Sequence, residues 1–87
     1  MIHATLNSIW DDVTNECEWP CFRVSFKAGD YIFSRYFHKD VNGDSKELAQ
    51  LRTLLGVESN ESLVGLKVVF DTNESGREIW PPRLSGS

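Results

Sequence analysis

The chain has 87 residues, a net charge of −4, 40% hydrophobic and 25% charged residues. That length holds one core and excludes a second domain, and the balance of apolar and charged residues excludes disorder. No apolar run approaches membrane-spanning length, and the sequence predicts a single domain over residues 1–84 with a frayed tail at 85–87.

Residues 2–13 alternate with Ile2, Ala4 and Leu6 on one face; Ile9 breaks the phase, which predicts a bulge or bend in a first strand. The segment 15–20 ends in Trp19-Pro20 and reads as a loop. Cys17 and Cys21 bracket that turn. Their spacing, with two scattered histidines, His3 and His38, is not a zinc signature, so two reduced, partly buried thiols are expected and no metal or cofactor. The N-terminus shows no basic stretch followed by a long apolar one, so a cytoplasmic location is expected, with no signal peptide.

Residues 22–37 are the most informative stretch, with six of the ten aromatic residues of the chain in sixteen positions. Phe22, Val24 and Phe26 form the inward face of a second strand, and Arg23, Ser25 and Lys27 its outward face. Gly29-Asp30 is the hairpin turn. The third strand, 31–38, has Tyr31, Phe33, Arg35 and Phe37 on one face and Ile32, Ser34, Tyr36 and His38 on the other. Either face joins aromatics to a cation. Residues 19–39 carry four bases against one acid, while the flanking segments are acidic.

A polar turn with Asn42-Gly43 leads to a helix whose buried face is Leu48, Leu51 and Leu55. Asp44 followed by Glu47 fits a capping box, and Gly56 a helix stop. Residues 58–62 read as a polar connection, and 63–70 as a fourth strand with Gly65 at a kink. After a turn at 71–76, a fifth strand begins at Arg77; Pro81-Pro82 ends it or confines it to a sheet edge.

Three strands, one helix and two strands is the layout of a mostly β, five-stranded OB-like Greek-key barrel with the helix between strands three and four. The segments 29–37, 51–57 and 61–70 resemble a bacteriophage family of small OB-fold proteins described as single-stranded-DNA-binding. In that family a strand of the type Ile-Phe-x-Arg-Phe precedes a helix ending in Leu-Gly and a segment Glu-x-Leu-x-Gly-x-x-Val-x-Val; the likeness spans about residues 22–80. It implies phage origin and a role in the host cytoplasm.

Two functions follow as expectations. In the first, the protein binds single-stranded nucleic acid: Arg23, Lys27, Arg35 and Lys39 meet phosphates, and Tyr36, with Phe33 or Tyr31, stacks bases. In the second, it is a phage-encoded, anti-CRISPR-like inhibitor that binds a host enzyme or defence complex through Trp10, Trp19 and Trp80, expected exposed in or beside loops. Homodimerisation is compatible with both. An enzyme is not expected, because no nucleophile motif, phosphate-cradling loop or metal-ligand cluster is present; Asp11 and Asp12 are adjacent and point to opposite faces of a strand.

Overall fold

The computed structural model describes residues 1–13 and 19–86. Five antiparallel strands form one sheet: β1 (Ile2–Val13), β2 (Cys21–Ala28), β3 (Tyr31–His38), β4 (Lys67–Thr72) and β5 (Glu78–Leu84), in the spatial order β3-β2-β1-β4-β5. Two helices, α1 (Lys46–Leu55) and α2 (Asn60–Leu63), lie between β3 and β4 in the chain.

β1 is the shared strand. It pairs with β2 from Thr5 to Val13 and with β4 from Ile2 to Thr5. Its register slips between Leu6 and Ser8, so Asn7 is the extra residue. The slip explains the broken phase of the sequence: Leu6 and Ile9, three apart, both face the core. At the same point the backbone of Leu6 turns to another partner. Its N–H donates to the Leu66 carbonyl at 2.9 Å, and its carbonyl accepts from Gly65 N–H at 2.8 Å.

The sheet curls into a half-barrel whose edge strands β3 and β5 approach across the open side. Phe37 and Trp80 have ring centroids 5.4 Å apart, and the Arg35 guanidinium lies 4.6 Å from the Trp80 ring centre. The inner face is apolar and continuous: Ala4, Leu6, Phe22, Val24, Phe26, Phe37, Val68 and Phe70 are buried, covered by Leu48, Leu51 and Leu55 of α1 and Leu63 of α2. Phe26 anchors the ring cluster, stacked on Phe33 at 5.4 Å and edge-on to Phe70 at 5.1 Å. Apolar burial of this kind is the main favourable contribution to folding.

Several expectations hold. The first strand, the Gly29-Asp30 turn and the leucine face of α1 lie where the pattern puts them. Gly56 ends α1 with φ 75° in the left-handed region, its N–H returned to the helix carbonyls. β5 runs through both prolines and lies at a sheet edge, where an absent N–H costs no ladder bond.

Three details differ. The cap of α1 is Ser45, extended at φ −115° and ψ 128°, whose Oγ accepts from Leu48 N–H at 3.3 Å. Asp44 therefore sits one residue outside the helix and caps nothing. Its carboxylate accepts from Ser45 N–H and from both Arg52 guanidinium nitrogens instead, and Arg52 also donates to Asn60 at the start of α2. Residues 60–63 are helical, with Ser59 as cap, so β4 begins at Lys67 and not at Leu63. A four-residue helix is too short to show a period; its one sequence signal is Ser59 ahead of Asn60-Glu61. Cys21 is buried, and Cys17 lies outside the described residues.

Replacing Leu51, fully enclosed between α1 and the sheet, by alanine is expected to cost about 2–5 kcal/mol in urea unfolding. The hydrogen bond from Arg52, followed by that from Ser45, holds the Asp44 carboxyl below its usual range. A depressed folded-state pKa gives stability that is complete above the ordinary carboxylate pKa and is lost as pH falls through the folded value. Asp44→Asn should therefore lower stability at neutral pH and flatten the acid limb of the stability–pH curve, as read from thermal melts between neutral pH and the acid transition.

Candidate nucleic-acid interface

Alternation divides the proposed contact residues between the two faces of the sheet. Arg23, Lys27 and Tyr36 point outward, while Tyr31 and Arg35 share the inner face with Phe33 and Phe37. The registers then place the outward residues in rows that cross the strands. Trp10 opposes Arg23, which opposes Tyr36. One step along, Ser8 opposes Ser25, which opposes Ser34. The next row runs Lys67, Thr5, Lys27, Ile32 across β4, β1, β2 and β3.

The result is a trough. Its floor is the serine row, and its walls are the Trp10-Arg23-Tyr36 row and the lysine-bearing row. Arg23 and Lys27 are four residues apart on one strand, which separates the walls by about 13 Å. Ser8 and Ser25 share a hydrogen bond between hydroxyls at 3.0 Å. Trp10 Nε1–H donates to Ser8 Oγ at 3.1 Å, which leans the indole toward the floor and fixes its orientation. Trp10 nonetheless remains 57% exposed. The Nε of Arg23 is buried between its neighbours and makes no hydrogen bond. No Asp or Glu occupies any position of the three rows, so the face is locally cationic on an acidic chain.

The inner-face residues have different surroundings. Tyr31, 64% exposed, stacks on Phe33 at 5.7 Å at the rim of the half-barrel. Arg35 lies over Trp80 and Phe37. Phe33 is partly buried within the ring cluster. Tyr36 and the pair Tyr31 and Phe33 are thus on opposite sides of the sheet and do not form one stacking surface. Lys39 pairs with Asp11, lies 4.8 Å from the Phe22 ring centre, and has a side chain only 11% exposed.

Of the three tryptophans, Trp10 and Trp19 are exposed. Trp80 is not: it belongs to β5 and packs on Phe26, Phe37 and Phe70, which corrects its expected place in or beside a loop. Trp19 borders an open groove of about 630 Å³ with Pro20, His38, Asp40 and Val41.

The sequence reading placed Ser25 beside Arg23 and Lys27, and Ser34 beside Tyr36, but missed Trp10, Ser8 and Lys67 as members of this face. Trp10 stands three residues past the bulge, so its side was not fixed by alternation alone, and Lys67 reaches the face only through the β1–β4 pairing. Ser8 follows the bulge directly, so alternation alone did not fix its side either. Among the described residues no group of three or more His, Cys, Asp or Glu is placed to hold a metal ion, and no helix is long and apolar enough to cross a membrane. Comparison of the chain with family models, curated proteins and solved structures finds no match.

Because Lys39 is held by Asp11 against Phe22 and Lys27 has no carboxylate partner among the described residues, their removal should differ in effect. Lys39→Ala is expected to lower stability by about 1 kcal/mol or more, and Lys27→Ala to stay within about 0.5 kcal/mol, by urea denaturation.

Proposed function

We propose that the protein binds single-stranded nucleic acid in the trough on the outer face of β1, β2 and β3. The observation that carries this reading is the set of three acid-free rows in which Trp10 and Tyr36 flank Arg23 while Lys27 and Lys67 line the opposite wall. Single strands offer unstacked bases and a phosphate backbone, and both needs are met here. Exposed rings stack on bases at roughly 1–3 kcal/mol each, and lysines and arginine neutralise phosphates. Arg23, whose Nε lacks a partner, has a donor for a phosphate or base oxygen once a ligand shifts it. Ser25 is buried and bonded to Ser8, while Ser34 is exposed at the floor and its hydroxyl donates or accepts, which suits bases of any identity.

The finer fold assignment belongs to the same proposal. A Greek-key barrel of OB type, from a bacteriophage, is supported by the β3-β2-β1-β4-β5 order with a long shared β1, and by the place of α1 in the chain between β3 and β4. Such barrels bind oligonucleotides on the face of their second and third strands, the side where Arg23, Lys27 and Tyr36 lie.

A second reading, an inhibitor that docks on a host protein, is favoured by the groove beside Trp19, whose neighbour Val41 is fully exposed. A protein partner retained from host lysate after nuclease treatment would support it.

Anisotropy titration with a labelled oligonucleotide at low salt tests the first reading. Trp10→Ala should weaken binding about tenfold, which corresponds to about 1.4 kcal/mol. Tyr31→Ala, on the opposite face, should leave it unchanged. Affinity should fall with salt in proportion to a small number of neutralised phosphates. Absence of binding at tens of micromolar, or equal binding of duplex, would overturn it.

A further inference from the structure

At one end of the outer face lies a pocket of about 260 Å³ whose lining includes His3, Thr5, Lys27, Lys67, Gly29 and Ser85. Every ionisable side chain in that lining is a base. Lys27 and Lys67 flank Thr5 on the two neighbouring strands, so their backbones stand two strand spacings, about 10 Å, apart. Two flexible ammonium groups at that spacing, on one face, converge on a shared anion without strain. His3 lies two residues from Thr5 on the same face of β1. Ser85 is brought there by its N–H, which donates to the Lys67 carbonyl at 2.9 Å.

The surrounding acids are committed elsewhere or do not line the pocket. Asp71, on the adjoining part of the face, accepts from Arg83 at 2.8 Å. Asp30 belongs to the hairpin turn and is exposed. Among the described residues neither Lys27, Lys67 nor His3 has a carboxylate partner. Two ammonium groups that reach over Thr5 from either side repel one another, and an anion with several acceptor oxygens between them relieves that repulsion. The volume admits a phosphate with a few waters, at about 30 Å³ per water.

We propose that this pocket is a phosphate-binding site, in which Lys27 and Lys67 neutralise the anion and Thr5, Ser85 and His3 supply further hydrogen bonds. The phosphate comes from the end of a nucleic-acid strand or from a free phosphate. The site shares Lys27 and Lys67 with one wall of the trough, but Trp10, Arg23 and Tyr36 lie two rows away, so a phosphate can bind there without them.

Titration of the isotopically labelled full chain, followed by amide NMR, tests this with inorganic phosphate and with a dinucleotide carrying or lacking a 5′-phosphate. Inorganic phosphate should cause saturable shifts at His3, Thr5, Lys67 and Ser85 with Kd of about 1–10 mM. Lys67→Ala should weaken them about tenfold, its other amide signals showing that it is folded, and Trp10→Ala should leave them intact. A 5′-phosphorylated dinucleotide that binds about tenfold tighter than both its 5′-hydroxyl form and inorganic phosphate assigns the site to a strand end; one that binds no better than inorganic phosphate assigns it to free phosphate. Shifts that do not saturate, or that survive Lys67→Ala unchanged, overturn the proposal. Loss of oligonucleotide binding in Trp10→Ala with the phosphate response retained separates the two sites, so failure of one is not failure of the other.

Discussion

Everything in this fold depends on β1 serving two partners at once. It gives β2 its residues from Thr5 onward and β4 its first residues, and the slip at Asn7 lets one strand do both. A bulge adds local twist to a strand. Here that twist is what curls five strands far enough for Trp80 of one edge to meet Phe37 and Arg35 of the other. Were Asn7 paired in regular alternation and not bulged out, Ile9 would face outward and the far half of β1 would bury polar side chains.

Curling has a consequence for the two faces. The inner one is concave, so a helix of ten residues with three leucines, helped by Leu63, is enough to cover it. The outer one is covered by no described helix or strand. Its composition is mostly polar, with serines, threonine, lysines and an arginine; its larger apolar side chains are Trp10, Tyr36, Ile32 and Val69, the last of them buried. Of the apolar residues there, Trp10 and Ile32 remain well exposed, an arrangement that a purely solvated face does not require.

The cations separate by surroundings more than by number. Arg35 lies on Trp80, Lys39 against Phe22 and Asp11, Arg52 between Asp44 and Asn60, and Arg83 against Asp71. These hold the fold to itself. Lys27 and Lys67 have no such partner among the described residues, and they stand in one row of the outer face. A net negative chain therefore carries a local positive field, because its acids lie in loops, on the helices and at strand positions outside the three rows, among them Asp11, Asp71 and Glu78.

Local chemistry determined much of this from sequence alone. Period-two alternation marked the strands and assigned Phe22, Val24 and Phe26 to the core; Gly29-Asp30 marked the hairpin; leucine spacing marked α1, and Gly56 its end. These are properties of neighbouring residues, and the chain carries them wherever it goes. The helix cap was misread by one position because Asp44 and Ser45 are both good caps, and only the arginine at Arg52 decides which is drawn away. What only the tertiary structure decided is which side chains meet. Trp10, Arg23 and Tyr36 become one row through two pairing registers, and Lys67 joins Lys27 across β1 through a third. Register is set by packing of the inner face and by the bulge at Asn7, both long-range. A shift of one residue would send each of these groups to the opposite side of the sheet.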